Sequence, residues 1–87
     1  MNYVYILRCK DNTLYTGWTT NIQKRLEVHN SGKGAKYTRG RIPVLLEYYE
    51  AYQSKSEATK REYAIKKLNK YEKEKLIKQF NINKDKK

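Results

Sequence analysis

The hydrophobic pattern at the start of the chain predicts a β-hairpin. Residues 3–9, YVYILRC, are apolar, β-branched or aromatic almost throughout, which is typical of a strand covered on both faces. Residues 10–12, KDN, suit a turn, with Asn12 the best candidate for a left-handed backbone. Residues 13–18 then return as a second strand, which completes the hairpin.

The register of this hairpin decides where its tyrosines point. With a loop of residues 10–12, Tyr5 lies opposite Gly17 and Leu7 lies opposite Tyr15, so both phenols point to one face. A shift of one residue would send them to opposite faces, because side chains alternate along a strand. Gly17, which has no side chain, indicates either a β-bulge or space for a ligand or another backbone.

A helix is predicted after the hairpin, from a cap at Thr20 to about His29, with Gly32 as the left-handed residue that ends it. The stripe that should dock on the sheet consists of Ile22, Arg25, Leu26 and His29. Arg25 and His29 are one turn apart and could hold a phosphate together. Alternatively, they border the core and extend into water, and the sequence alone leaves both interpretations open.

The segment that follows is rich in glycine and in positive charge. Residues 31–41, SGKGAKYTRGR, hold three glycines and four cations without an acid, which predicts a mobile, positively charged loop. We expect nucleic acid to contact this loop and the open space at Gly17. The cations of the loop are Lys33, Lys36, Arg39 and Arg41.

The second half of the chain predicts one more strand and two helices. Both helices begin with the spacing of a capping box, in which a cap residue is followed three positions later by glutamate. The resulting order is ββαβαα, an α+β protein. The elements are a strand at about residues 44–52 after Pro43, a helix to about Leu68 behind Ser54 and Glu57, and a helix to about Phe80 behind Asn69 and Glu72.

Length and charge narrow the class of protein. A chain of 87 residues predicts one domain, at residues 1–80, and residues 81–87 are polar and charged enough to form a disordered basic tail. Lysine and arginine number 20 against 9 acids, and the net charge of +11 attracts phosphate backbones. We therefore expect a nucleic-acid partner, no membrane partner and a monomeric protein.

Cysteine, histidine and acid content restrict location and metal chemistry. Cys9 has no partner for an internal disulfide and no segment resembles a secretory leader, so we expect a cytoplasmic protein. One cysteine and one histidine exclude a structural zinc site. Because the acids are few, any metal site must rest on a single glutamate rather than on the carboxylate cluster of a two-metal nuclease.

Glu62 is the acid with the most unusual position. It shares the inward stripe of its helix with Ala58, Ile65 and Leu68, where an apolar residue would serve the core better. A buried carboxylate usually has a cation or a metal beside it. Alternatively, Glu62 is exposed and pairs with Lys66 one turn later, an arrangement that spacing alone favours.

These residues, in this order, resemble the GIY-YIG nuclease domain. The resemblance covers about residues 3–70, and the stretch HNSGKGAKYTRGR is similar to small bacterial members that consist of this domain alone. Each motif is short, but all of them in register form a specific signal. The matching residues are Tyr5 in YVYIL, Tyr15 and Gly17 in YTG, Arg25 and His29 in KRLEVHN, and Glu62 in KREYAIKKL.

The resemblance implies a three-stranded, mostly antiparallel sheet flanked by helices, and hydrolysis of phosphodiester bonds that depends on Mg²⁺ or Mn²⁺. It implies that Glu62 is the single metal ligand and that Arg25 faces the phosphate. Tyr5 or Tyr15 would orient or deprotonate the attacking water, and His29 would assist the proton transfer. A tyrosine with a pKa near ~10 is a poor base unless nearby cations favour its phenolate.

Three functions are compatible with these features. The first is an endonuclease that acts on DNA, selects irregular structure and has little sequence preference. The second is a binding module that holds nucleic acid through residues 31–41 and the lysine-rich end without cutting it. The third is a structural or protein-interaction role in which the charge serves solubility alone. Substitution of Glu62, Tyr15 or Arg25 distinguishes the first function from the second. Catalysis needs all three residues, whereas binding gains little from them.

Overall fold

A three-stranded antiparallel sheet forms the centre of the molecule in a computed structural model, which describes residues 1–85. The strands are β1 (Asn2–Arg8), β2 (Leu14–Thr19) and β3 (Leu45–Tyr52), in the order β2-β1-β3. The helices are α1 (Ile22–Asn30), α2 (Lys36–Arg39), α3 (Lys55–Lys66) and α4 (Lys70–Asp85). The predicted α+β class and order are confirmed, with the short helix α2 added between α1 and β3.

The predicted register of the hairpin is also confirmed. Tyr5 pairs with Gly17 and Leu7 with Tyr15, and Asn12 has the left-handed φ of 70°. The pairing of β1 with β2 is continuous at Gly17, so the glycine does not mark a bulge there. An irregularity lies instead between β1 and β3, next to Leu7.

Each face of the sheet is covered by its own cluster of apolar side chains. Alternation along β1 sends one set of residues toward α3 and α4 and the other set toward α1. The cluster under α3 and α4 contains Val4, Ile6, Tyr48, Ala58, Ile65 and Ile77, and the opposite one contains Tyr5, Leu7, Cys9 and Val44. The continuous apolar pattern of β1 therefore reflects burial on both faces.

The helix caps agree with prediction in two cases of three. Ser54 accepts a hydrogen bond from the backbone N–H of Glu57 at 3.0 Å, and Asn69 forms a reciprocal capping box with Glu72, at 2.9 and 3.1 Å. The cap predicted at Thr20 is wrong. Asn21 caps α1 instead, because its extended backbone lets the side-chain oxygen accept from the N–H of the third helical residue at 3.1 Å.

The segment at residues 31–41, predicted as a loop, contains the short helix α2 and several side-chain contacts, which corrects the loop assignment, while its mobility stays a prediction. The Arg41 side chain lies 3.0 Å from an Asp11 oxygen and donates to the Tyr37 carbonyl at 2.7 Å. Arg39 donates to the Gly34 carbonyl at 3.2 Å. The glycine content indicated flexibility, but the arginines tie the segment to itself and to the hairpin turn.

The last helix extends beyond its predicted end at Phe80. Phe80 packs on Tyr48 and Tyr49, with ring centroids 5.3 Å apart in each case. The described part of α4 continues to Asp85, the disordered tail at 81–87 stays a prediction, and residues 86–87 lie outside the described residues. None of the helices in residues 1–85 has the length and apolar character needed to cross a membrane.

Candidate active site

A buried chain of hydrogen bonds runs from β1 through α1 to α2. The Tyr5 hydroxyl lies 3.0 Å from His29 Nε2, and His29 Nδ1 lies 2.9 Å from Thr38 Oγ1. The Thr38 hydroxyl donates its one proton to the Ala35 carbonyl at 2.9 Å. It must therefore accept from His29, which places the ring proton on Nδ1. His29 Nε2 is then unprotonated and accepts the hydroxyl proton of Tyr5.

His29 is neutral and inaccessible in this arrangement. Its side chain is fully buried, and this burial, reinforced by the charge of Arg25, lowers its pKa to about 4. Both ring nitrogens have partners within the protein. The prediction that Arg25 and His29 hold a phosphate together is therefore wrong, and so is the alternative in which His29 extends into water.

Tyr5 and Tyr15 share one face of the sheet, as the register predicted. Their ring centroids are 6.5 Å apart, and the Tyr15 ring lies 5.4 Å from that of His29. Gly17 makes this arrangement possible, because a Cβ there would lie 2.5 Å from the Tyr5 hydroxyl oxygen. The expected space for nucleic acid at Gly17 is thus filled by the Tyr5 phenol, which corrects that assignment.

Burial and three neighbouring side chains act on the pKa of the Tyr5 hydroxyl. Burial raises the pKa of Tyr5 above its usual value of 10, the Arg25 guanidinium opposes the rise, and the charges of Tyr15 and Glu62 add to it. The ionisation of Tyr5 is thus coupled to Tyr15, Arg25 and Glu62. Because the net shift is upward, these protein neighbours alone leave Tyr5 a neutral phenol.

Glu62 combines features of both interpretations offered for it. Its carboxylate lies 3.1 Å from Lys66 Nζ, which is the helix pair that spacing favoured. The carboxylate is nevertheless not open to solvent, since the side chain is only 21% exposed and acts on Tyr5. Ala58 and Ile65 of the same stripe are buried. Glu62 thus borders the buried stripe of α3, and its charge adds to the pKa of Tyr5.

The donors present fit a metal that is held partly by substrate. Within residues 1–85, no three side chains of His, Cys, Asp or Glu come together in a way that could hold an ion. Mg²⁺ commonly uses one or two carboxylates and completes its coordination with water and substrate phosphates. Glu62 can supply that single carboxylate if Lys66 moves aside. Arg25 is half-buried and forms no salt bridge within the described part of the chain, so its charge is available to an anion.

The four cations predicted to contact nucleic acid differ in their availability. Lys33 and Lys36 are exposed, and neither has a hydrogen bond from its side chain to another described residue. Arg39 is exposed but donates to a backbone carbonyl. Arg41 is occupied by Asp11 and by the Tyr37 carbonyl, so we correct its assignment to a structural role.

Sequence reasoning missed two side chains of α2 that border this site. Thr38 fixes the His29 tautomer, and the Tyr37 ring stacks on Tyr15 with centroids 5.9 Å apart and an interplanar angle of 27°. Neither contact can be predicted from the periodicity of the sequence, because the glycine-rich turn between α1 and α2 decides where α2 lies. The burial of Thr38 and the stacking of Tyr37 are visible only in three dimensions.

Comparison with known proteins agrees with this constellation. Residues 1–79 match the model of the GIY-YIG catalytic domain. The chain belongs to the GIY-YIG family. The resemblance drawn from the sequence is thereby confirmed, and the GIY-YIG family is a family of nucleases, which suggests nucleic acid as the substrate class.

The GIY-YIG relatives are small proteins of similar length. The UPF0213 protein CPE1444 of Clostridium perfringens is 58% identical over 98% of this chain and 91% of its own length. The solution structure of the UPF0213 protein BH0048 of Bacillus halodurans has a TM-score of 0.59 and 52% identity, and covers 91% of this chain and 85% of that one. Protein EF2693 of E. faecalis has a TM-score of 0.62 and 46% identity over 93% and 86% of the two chains.

Proposed function

We propose that the protein is an endonuclease that hydrolyses phosphodiester bonds in DNA with the help of a divalent metal ion. We further propose that it selects irregular DNA structure and has little sequence preference. The observation that supports this most is the grouping of Tyr5, Tyr15 and His29 on one face of the sheet, together with the charges of Arg25 and Glu62 that act on the Tyr5 hydroxyl. A binding module has no need of this combination of a base, a cation and a carboxylate.

The hydrogen bond between Tyr5 and His29 supports a proton relay. Tyr5 gives its proton to His29 Nε2, so its oxygen can accept a proton from an attacking water at the same time. Free His29 is a weak acceptor, because burial and the Arg25 charge hold its pKa at about 4. A bound phosphate would neutralise Arg25 and raise that pKa, so substrate binding would make the relay more favourable.

Arg25 and Glu62 have complementary roles in this proposal. The planar guanidinium of Arg25 is suited to hold a phosphate and to meet the charge that develops on it. Glu62 would hold one Mg²⁺ or Mn²⁺ ion, which supplies a Lewis acid at the phosphate and the leaving oxygen. Lys66 neutralises Glu62 at 3.1 Å when no metal is bound.

A second candidate is a binding module on the nuclease fold. The observation that favours it is the ionisation of the site. Burial raises the pKa of Tyr5, and burial with the Arg25 charge lowers that of His29, so neither is a ready base at neutral pH. If substrate binding does not change this, the chain would hold DNA without cutting it.

The experiment that separates the two candidates measures cleavage of nicked, branched and duplex DNA with Mg²⁺ or Mn²⁺. The variants are Glu62→Gln and Tyr15→Phe. Their matched controls are Glu57→Gln on the same helix and Tyr63→Phe, an exposed tyrosine. The nuclease proposal expects metal-dependent cleavage that only the first two variants lose. Absence of cleavage, with salt-sensitive binding unchanged in all four variants, would favour the binding module.

A further inference from the structure

A cationic pocket opens beside the candidate active site. It has a volume of about 190 Å³ and is lined by Thr13, Leu14, Tyr37, Lys70 and Lys73. One water molecule takes about 30 Å³ in the liquid, so the pocket has room for a phosphate group together with part of a sugar. It joins the hairpin turn, α2 and the first turn of α4, which are distant in sequence.

The pocket has positive charge without a matching acid. Neither Lys70 nor Lys73 forms a salt bridge within the described residues, and Glu74, which Lys70 influences, is bound to Arg8 at 2.6 Å. Lys73 is half-buried, and burial together with the charge of Lys66 lowers its pKa. A half-buried ammonium beside another cation is unfavourable in the free protein, and a bound anion would relieve the repulsion.

The pocket is adjacent to the candidate active site on two sides. Tyr37, which forms one wall, stacks on Tyr15 with ring centroids 5.9 Å apart. On the other side, Lys73 is near Lys66, which lies 3.1 Å from the Glu62 carboxylate. A nucleotide bound in the pocket would therefore lie next to Tyr37, which stacks on Tyr15 of the candidate active site.

Tyr37 is a fixed aromatic surface within reach of such a strand. Its side chain is 40% exposed, and Arg41 lies over the ring at 4.2 Å while also donating to the Tyr37 carbonyl. The ring is thus held in place before any ligand arrives. An aromatic ring beside a cationic groove is the combination with which proteins bind unpaired nucleotides, because bases of every kind can stack on it.

We propose that this pocket binds an unpaired nucleotide next to the scissile phosphate, with its phosphate between Lys70 and Lys73 and its base or sugar against Tyr37. This inference rests on the proposed function and gives a physical reason for a preference for irregular DNA. A base in a regular duplex is stacked on its neighbours and paired, so it could not contact Tyr37 without being unpaired first.

The test measures binding of a short oligothymidylate at several salt concentrations, in a Glu62→Gln background that does not cut. The double variant Lys70→Gln/Lys73→Gln should reduce the salt slope by about 0.7, the value for one phosphate contact of a single strand. The control variant Lys60→Gln/Lys78→Gln removes the same charge from exposed positions of α3 and α4 and should leave the slope nearly unchanged. Equal reductions in the two double variants would overturn the proposal.

Variants of Tyr37 test the aromatic contact separately. Tyr37→Leu should weaken oligothymidylate binding at least about fivefold without changing the salt slope, whereas Tyr37→Phe should bind as the parent does. The effect of Tyr37→Leu should be smaller with a duplex of the same length. Equal affinities of the Leu and Phe variants for the single strand would overturn the proposal.

These outcomes are independent of the nuclease proposal, because binding is measured without cleavage. If the parent protein cuts DNA and the Lys70→Gln/Lys73→Gln variant binds like its control, only the pocket inference fails. If the parent protein does not cut and the pocket variants still lose binding as expected, the nuclease proposal fails and the pocket remains a nucleotide-binding site.

Discussion

His29 is neutral because the fold gives it no access to water. Full burial removes the solvation that would stabilise an imidazolium, and the nearby Arg25 adds repulsion. Thr38 then selects the tautomer, since its hydroxyl proton is already donated to Ala35. A neutral ring with a free Nε2 lone pair is what Tyr5 needs as a hydrogen-bond acceptor. One buried side chain thus links stability to the proposed chemistry.

We predict that the protein loses stability as the pH falls from 7 to 5. In this range the unfolded His29 gains a proton near pH 6.5, whereas the folded residue stays neutral until about pH 4. The unfolded state therefore binds more protons, and the free energy of unfolding decreases by about 2 kcal/mol. Urea unfolding at pH 7, 6 and 5 measures the change.

His29→Gln is the control for this prediction. Glutamine cannot titrate, and His29 is the only histidine of the chain, so the pH dependence between 7 and 5 should nearly vanish in the variant. The carboxylates do not interfere, because they titrate mainly at lower pH. An equal loss of stability in His29→Gln would show that another group causes it.

Gly17→Ala should displace the Tyr5 phenol. The new Cβ would lie 2.5 Å from the hydroxyl oxygen and 2.6 Å from the ring carbon that carries it, so the side chain must move. We expect a loss of about 1–3 kcal/mol in the free energy of unfolding, as for other overpacked sites, and loss of any cleavage. Thermal and urea unfolding measure the first effect.

Gly40→Ala is the matched control for this substitution. No heavy atom lies within 4 Å of the position of its Cβ, and the φ of −95° is open to alanine. It should change stability by less than about 0.5 kcal/mol. A Gly17→Ala variant as stable and active as Gly40→Ala would mean that Tyr5 does not need its present position.

At the scale of elements, the sequence predicted what depends on local pattern. The hairpin was predictable because β1 is apolar on both faces and Asn12 suits its turn. The segment at residues 31–41 was not, because its order depends on contacts distant in sequence, such as Arg41 with Asp11. The end of α4 was misplaced for a similar reason. Phe80 packs on β3, and the helix continues beyond this contact.

The orientation of α3 about its own axis depends on an ion pair that the hydrophobic periodicity of the sequence did not indicate. Arg61 binds Glu50 of β3 with both nitrogens of its fork, at 3.0 to 3.2 Å, and the hydroxyls of Tyr48 and Tyr52 donate to the same carboxylate. Burial alone would raise the pKa of Glu50, but these hydrogen bonds lower it overall. Because Arg61 precedes Glu62, this cluster also decides the direction in which Glu62 points.

We therefore predict that Arg61→Gln lowers both stability and activity. It leaves the half-buried Glu50 carboxylate without its cation, which should cost about 1–2 kcal/mol, less than for a fully buried pair because Arg61 is 37% exposed. Urea unfolding and the cleavage assay measure the two effects.

Lys60→Gln is the control for Arg61→Gln, since Lys60 precedes Arg61 on α3 and is exposed. It should change stability by less than about 0.5 kcal/mol. If Arg61→Gln lost stability but kept full cleavage, the cluster would hold α3 on the sheet without orienting Glu62.

At the scale of the whole molecule, the site residues were predictable but their states were not. The motif order named Tyr5, Tyr15, Arg25 and Glu62 as candidates, and in the fold the last three act on the ionisation of Tyr5. Burial then decides their ionisation, and burial depends on how α1 and α2 close over the sheet. This is why the spacing of Arg25 and His29 suggested a phosphate contact for His29 that its full burial contradicts.

The net charge of +11 leads to a prediction about affinity for duplex DNA. Each phosphate that the protein neutralises contributes about −0.9 to the slope of log K against log salt concentration. Lys33 and Lys36 are exposed between α1 and β3, and further exposed lysines lie on α4. We expect the slope for duplex DNA to be steeper than about −2. The double variant Lys33→Gln/Lys36→Gln should make the slope shallower, by about 1 more than the control variant Lys60→Gln/Lys78→Gln does. Fluorescence anisotropy in a Glu62→Gln background measures these slopes. A slope shallower than about −1 would mean that the charge serves solubility rather than phosphate contacts. That result would favour the third function, a structural or protein-interaction role.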